Sequence, residues 1–356
     1  MMSMNSEGYK PLVGITLGDP AGVGPEIVVK ALSSKHVSKC CRPLVIGDLL
    51  SVKETIKLVR GRVEAQGIKD PKDGNYEAGL INVIDLKNID RARLAYGKAD
   101  KMSGQASLEF IDKAIDLALQ GEVDAIVTAP INKESIHLAG CRFPGHTEIF
   151  ADRTHVKEYS SMIAVGSFRV MHVTLHTSLR EAVRDISEHG ILKSIRLAHN
   201  SLLELGINNP RIAVPGLNPH SGDNGLFGDE EQKIITPAIQ RARLEGLNVD
   251  GPVSPDTVFI KARGGKYDVV IALYHDQGHI PAKLIGWEWS EAMDQWTKMR
   301  GVSIVLGLPL IRTNPDHGTA YDIAGKGIAN PEAIIEAINL AVLLFHGRKS
   351  AYKTSA

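Results

Sequence analysis

Residues 274–283 put His275, Asp276, Gln277, His279 and Lys283 within ten positions. They follow Val269-Val270-Ile271-Ala272-Leu273, an apolar run that reads as a buried strand of a parallel sheet. Polar groups at the C-terminal end of such a strand stand where open α/β sheets bind ligands. Two other strand-like runs end the same way, in His176 and His220. One strand-end histidine is more commonly just hydrogen-bonded. Three neutral imidazoles delivered by separate elements suit a borderline divalent metal such as Zn²⁺ with a position open for substrate. An ion of that kind polarises a substrate hydroxyl and stabilises the alkoxide that hydride transfer requires.

Lys283 and Arg312, each just past an apolar run, would hold an anionic substrate, Arg through a fixed fork and Lys as a point charge. His146-Thr147-Glu148 adds an imidazole, a hydroxyl and a carboxylate, although such a triplet taken alone is more often a helix N-terminus with an exposed histidine than a site. His172 lies four residues before His176, on the same face of the strand expected at 168–175.

These groups need elements to carry them. Apolar runs at 11–17, 42–48, 80–84, 123–127, 211–217 and 302–308 predict further strands, and 161–165 with 168–175 predicts an antiparallel pair. Helices are expected at 27–32, 103–119, 187–205, 230–245 and 332–346. Strands alternating with helices imply right-handed crossovers and a largely parallel sheet. Residues 249–252 read as a turn, and 286–300, with Trp287, Trp289 and Trp296, as a short helix presenting Trp289, Met293 and Trp296 on one face. That segment would be a lid, an interface patch or a plain surface excursion.

The 356 residues suit two ordinary domains, and no low-complexity linker parts them, so the chain is expected to cross between lobes more than once. Lys plus Arg equals Asp plus Glu at 41 each, which argues against nucleic acid or an anionic membrane as main partner. No apolar run approaches the ~20 residues that span a bilayer. Residues 1–10 read as a disordered lead-in without a signal core, and three cysteines form no framework, so a reduced, cytoplasmic protein is expected.

Between the first strand and its helix, residues 18–26 (G-D-P-A-G-V-G-P-E) make a glycine-rich turn with Pro25 placed for the first helical turn. Gly18 and Asp19 stand where helix-terminal N–H groups receive anions or cofactors. The turn lacks the G-x-G-x-x-G spacing of a Rossmann site, and from this stretch alone a tight turn that packs helix on sheet is slightly the better reading.

Taken together, residues 18–26, P-G-H-T-E (144–148), H-T-S-L-R (176–180), G-L-N-P-H-S-G (216–222), Y-H-D-Q-G-H-I-P-A-K (274–283) and I-R-T-N-P-D-H-G-T-A-Y-D-I-A-G-K-G-I-A (311–329) resemble the 4-hydroxythreonine-4-phosphate dehydrogenase family. The motifs run in family order over nearly the whole chain. The last also resembles the adenosine-binding loop of isopropylmalate and isocitrate dehydrogenases. The resemblance implies a two-domain α/β/α, isopropylmalate dehydrogenase-like fold with mostly parallel sheets and a cleft. Residues 1–140 plus 300–356 would form the NAD-side domain, and 141–299 the metal-binding and dimerising one. It implies a homodimer in which His176 and His220 of one subunit and His275 of the other hold a divalent metal (Zn, or Mg, Mn or Co). Asp276 is the acid beside that ligand, and His275, Asp276 and Lys283 would be the catalytic set. His146, Thr147, Lys283, Ser303 and Arg312 would contact a small, phosphorylated anionic substrate, Ser303 standing where the family commonly has Asn. Gly18, Asp19, His317, Gly318, Asp322 and Asn330 would lie along NAD. The implied reaction oxidises a secondary alcohol with NAD⁺ to a β-keto acid that loses CO₂. The expected substrate is a 4-phosphorylated hydroxy acid of the 4-phosphohydroxy-L-threonine type. His279 and Ser303 raise D-threonate or D-erythronate 4-phosphate, or a dihydrodiol, as alternatives, and a metal-dependent lyase without NAD is the alternative of another class.

Overall fold

The computed structural model describes residues 9–293 and 295–354. The lead-in expected at 1–10 therefore falls, up to residue 8, outside the described residues. The chain divides into two compact units, Met1–Gly145 with Leu310–Arg312 and Gly318–Phe345, and His146–Pro309 with Thr313–His317 and His346–Ala356.

In the first unit the chain runs β1 (Leu12–Thr16), α1 (Gly24–Leu32), α2 (Lys35–Cys40), β2 (Arg42–Gly47), α3 (Leu49–Leu58), β3 (Glu64–Ile68), β4 (Leu80–Asp85), α4 (Lys101–Leu119), β5 (Ala125–Thr128) and α5 (Lys133–Leu138). The strands lie in the order β3-β4-β2-β1-β5, and those four pairings are all parallel. All of β1 and β5 is buried, as strands covered on both faces must be, and this is why they read as unbroken apolar runs. Strand β3 was not expected. It holds the edge of the sheet with the sequence Glu-Ala-Gln-Gly-Ile, which has no apolar periodicity to betray it.

The second unit continues with α6 (His146–Arg153), β6 (Ser160–Val165), β7 (Phe168–His172), α7 (Leu179–Asp185), α8 (Glu188–Glu204), β8 (Ile212–Pro215), α9 (Thr236–Leu244), β9 (Val249–Val253), α10 (Pro255–Arg263), β10 (Val269–Ala272) and α11 (His275–Gly286). Then come β11 (Trp287–Ser290), β12 (Gln295–Met299), β13 (Val302–Leu306) and β14 (Arg312–Pro315), and α12 (Glu332–Thr354) closes the described chain. The order β13-β6-β7-β10-β8-β9 begins antiparallel and becomes parallel from β7 onward. Ile163, Phe168, Val170, Ala213, Val258, Val270 and Ala282 pack into one cluster beneath α10 and α11.

Three expectations need correction here. Residues 249–253 form an edge strand, not a turn; Pro252 is tolerated because an edge strand need not donate on its open side. The tryptophan segment is an antiparallel hairpin, β11 with β12, and not a helix. Trp289 and Trp296 do meet, but across the hairpin rather than along a helix face; the Met293 side chain lies outside the description. Strand β7 stops at His172, so His176 sits in the segment beyond it and the two histidines do not share a strand face.

Candidate active site

Within the second unit four imidazoles gather where β7 meets α11. His275 and His279, one helical turn apart on α11, stack at 3.7 Å between centroids and 11° between planes. His172 packs against His279 at 4.5 Å, and His176 faces His275 at 6.0 Å. Gly278 makes the approach possible, because a Cβ there would lie 2.4 Å from His172 Nε2 and 2.6 Å from Val170 Cγ1. Burial, followed by the charges of its imidazole neighbours, holds His172 well below the usual histidine pKa. Burial also takes His279 down to about 4, with His275 next in effect, so His279 is neutral at physiological pH.

His275 opens α11, and its Nδ1 lies 2.6 Å from Asp276 Oδ1. In the tautomer that donates Nδ1–H to this carboxylate, Nε2 is left as a lone-pair donor, the carboxylate–histidine arrangement typical of metal ligands. His279 Nδ1 lies 3.1 Å from the carbonyl of His275 and so fixes its own ring. Gln277 secures the helix start, accepting from Leu273 N (2.7 Å) and donating to Gly216 O (3.0 Å).

His220 comes from a different place. Residues His220, Ser221, Gly222, Asp223 and Asn224 all have φ between 42° and 80°, a left-handed run that only Gly222 adopts without cost. The buried carboxylate of Glu231 braces it, accepting from Leu217 N and Asn218 N, each at 2.8 Å. Observed backbone strain of this kind marks functional loops. Among the described residues no three His, Cys, Asp or Glu side chains of one chain are grouped closely enough to hold a metal. One chain thus brings His176 and His275 together and keeps His220 apart from them. The donors present are still those a borderline divalent ion takes: imidazole nitrogens, one with its tautomer set by a carboxylate.

The anion-binding candidates fall into both units. His146 and Thr147 form the half-buried first turn of α6. Lys283 lies in the last turn of α11, its Nζ 4.3 Å from the centre of the Trp287 ring. Ser303 Oγ donates to Asp316 Oδ1 at 3.0 Å. Burial pushes the Asp316 carboxyl above the usual range, opposed by the nearby charge of Lys283. Arg312 belongs to the first unit and is only 2 % exposed, so it is no solvated surface charge. Its Nη2 and Nε donate to Thr128 Oγ1 at 2.6 and 3.2 Å, at the C-terminal end of β5. Thr128 is legible as a polar group at the C-terminal end of the 123–127 run, whereas no role is read from the sequence for Asp316 or Gly278 individually, and of these only Gly278 carries a signal, a small residue inside a helix.

In the glycine-rich turn of the first unit, Gly18 has φ +71° and sits so close that a Cβ would lie 2.4 Å from Pro130 O. Asp19 is fully buried, and its carboxylate accepts from Ala21 N (2.8 Å) and from the Tyr321 hydroxyl (2.9 Å). Burial raises the pKa of both partners. Asp19 therefore braces the 317–330 loop and is itself inaccessible. Glu26, also buried, accepts from Gly325 N (2.7 Å) and Ala329 N (3.4 Å), while Lys30 donates to Ala329 O (2.7 Å). Asn330 Oδ1 accepts from Glu332 N (2.8 Å) at the start of α12; Gly318 and Asp322 are exposed and His317 half-buried.

Sheets of this kind, with polar strand ends and a braced glycine-rich turn, are those of an α/β enzyme, and here of an oxidoreductase, a dehydrogenase. The chain belongs to the family described as pyridoxal phosphate biosynthetic protein PdxA, whose pattern matches residues 39–341. It is 44 % identical over 332 residues to the D-threonate 4-phosphate dehydrogenase of Cupriavidus necator, covering 93 % of this chain and 96 % of that one. It is also 44 % identical over 335 residues to the 4-hydroxythreonine-4-phosphate dehydrogenase of Desulforapulum autotrophicum (94 % and 95 %). The crystal structure of the 4-hydroxythreonine-4-phosphate dehydrogenase from Klebsiella pneumoniae superimposes with a TM-score of 0.83 at 40 % identity, over 96 % of this chain and 99 % of that one. No helix of the described residues is long and apolar enough to cross a membrane.

Proposed function

We propose that this dehydrogenase uses NAD⁺ and a divalent metal to oxidise and decarboxylate a 4-phosphorylated four-carbon hydroxy acid. The observation that carries the reading is His275, with Nδ1 tied to Asp276, facing His176 across 6.0 Å. His176 and His220 would hold the metal together with His275 of a second copy. A homodimer is supported by the apolar surface beside this cluster, where Ile260, Ile280 and Leu284 are 70 %, 58 % and 78 % exposed around a hollow that Asp276 also lines. An ion held there would supply Lewis-acid chemistry, lowering the pKa of a substrate hydroxyl. Asp276 keeps the Nδ1 proton of His275 in place. His146, Thr147, Lys283, Ser303 and Arg312 would bind and orient the anionic substrate. Gly18 and the 317–330 loop, with His317, Gly318, Asp322 and Asn330, would receive NAD, while Asp19 holds the loop in shape.

Relatives of equal identity act, by their names, on two different acids. Ser303, its hydroxyl donated to Asp316, favours the threonate: it offers no amide oxygen to accept from the ammonium of the amino acid, whereas the threonate carries a hydroxyl there. The test is NADH formation and CO₂ release from D-threonate 4-phosphate, 4-phosphohydroxy-L-threonine and their unphosphorylated forms, with Zn²⁺, Mn²⁺ or Mg²⁺. Turnover should need the phosphate, vanish with a strong chelator and return with metal. Activity that survives both chelation and His220→Ala would end the metal assignment, and calorimetry without an NAD⁺ binding signal would favour a lyase.

A further inference from the structure

The tryptophan hairpin has no part in the reading above, yet it touches one of that reading's residues. Helix α11 ends at Gly286, whose carbonyl accepts from Arg300 N at 2.9 Å, so the hairpin closes directly on the helix end. Gly286 is required there, because a Cβ would lie 2.4 Å from Arg300 O. One turn after Lys283 the chain presents Trp287, and the ammonium lies 4.3 Å from the centre of its ring, well inside the ~6 Å range of cation–π attraction. The indole is itself held. Trp296 meets it edge-on at 5.2 Å and 76°, and Trp289 meets Trp296 at 5.1 Å and 78°. Glu288 and Lys298, opposite each other in the hairpin register, form an ion pair at 2.6 Å that fixes the strands. The charge of Lys283 also lowers the pKa of the Asp316 carboxyl, against the larger effect of burial, and Ser303 donates a hydrogen bond to that carboxyl.

We infer that Trp287 is a positioning residue: the hairpin carries its indole face under the Lys283 ammonium and aims that charge at the anionic end of the substrate. A lysine has four rotatable stem bonds and three donors, so it specifies little geometry by itself. A cation seated on an aromatic face loses that freedom before substrate arrives, which strengthens binding by cutting the ordering cost. The edge-to-face cluster of three indoles, half exposed as it is, then has a purpose beyond holding itself together. This inference rests on the reading of Lys283 as a substrate contact, and the experiment separates the two.

In the full-length protein with ¹³C-labelled lysine, the Lys283 εCH₂ resonance, assigned through Lys283→Arg, should lie upfield from the indole ring current. It should return to the ordinary lysine position in Trp287→Leu and stay partly shifted in Trp287→Phe. An unshifted resonance in the parent protein, or one that Trp287→Leu does not move, overturns the positioning claim whatever Lys283 binds. For turnover of D-threonate 4-phosphate, run beside 4-phosphohydroxy-L-threonine, Trp287→Leu should raise KM by about three- to thirtyfold with kcat changed far less. Trp287→Phe should recover most of that loss, and Trp289→Leu, which leaves the Trp287 ring in place, should cost less than Trp287→Leu. Adding Trp287→Leu to Lys283→Met should cost nothing further. Full additivity in that pair overturns the inference. A Lys283→Met change that leaves KM alone sinks the substrate-contact reading instead, and the resonance shift still decides the indole's role.

Discussion

Replacing Glu26 by glutamine would test how the 317–330 loop is held. The carboxylate is buried on α1 and reaches 299 residues along the chain to accept Gly325 N–H at 2.7 Å, with Ala329 N–H at a weak 3.4 Å. Hydrogen bonds to a charged group contribute about 1.5–3 kcal/mol, and a buried donor left without its partner costs about 1–3 kcal/mol. The glutamine side chain would keep one oxygen for Gly325 but turn its amide N–H₂ towards Ala329 N–H, donor against donor. Counting the lost charge on the short bond and little for the long one, we expect roughly 2 kcal/mol. Hydrogen exchange reads this directly: in Glu26→Gln the Gly325 amide should exchange about thirtyfold faster, since 1.4 kcal/mol is a factor of ten. The NAD⁺ Kd by calorimetry should rise in the same sense. Unchanged exchange at Gly325 would refute the brace, and lost NAD⁺ binding with unchanged exchange would mean that Glu26 meets the nucleotide itself.

Two further perturbations have a worked direction. Gly278→Ala drives a methyl to 2.4 Å from His172 Nε2, between buried groups that cannot give way freely, so overpacking of about 1–3 kcal/mol is expected. Thermal unfolding should fall and Zn²⁺ affinity with it, and parent-like metal binding would show that the imidazole cluster tolerates displacement. The Arg211 fork at 2.9 and 3.0 Å holds the Asp268 carboxyl below its usual pKa. A depressed folded pKa gives stability that is present above the unfolded value and lost as pH falls through the folded one. The urea midpoints of the parent and Asp268→Asn should therefore differ near neutrality and converge below the ordinary carboxylate range. A constant gap down to that range would remove the ion pair as the cause.

The strands buried on both faces were legible because nothing but burial shapes them: β1, β2, β5 and β10 are near-continuous apolar runs. Edge strands were not. Strands β3 and β9 lean on one neighbour each, so neither Gln66 nor Pro252 violates a requirement that the sequence could have displayed. The hairpin was misread because 289, 293 and 296 fit a helical period, whereas the indoles meet by cross-strand pairing of Trp289 with Trp296. Histidine positions were legible as chemistry, but burial and stacking were not: nothing in the local pattern says that His172 lies under His279. Contacts as distant as Glu26 with Gly325, or Asp19 with Tyr321, have no local signature at all.

That distance has a consequence for how the protein comes into being. The partners of α1's buried carboxylate are made 299 residues after it. At about 5–20 residues per second of synthesis, Glu26 waits some ~15 to 60 seconds for Gly325. The first unit likewise waits for Leu310–Arg312 and Gly318–Phe345, after the chain has passed through nearly all of the second. The usual order, N-terminal domain first, is closed to it. A nascent chain carries an incomplete first unit, with Glu26 still lacking Gly325, until Leu310–Arg312 and Gly318–Phe345 have been made.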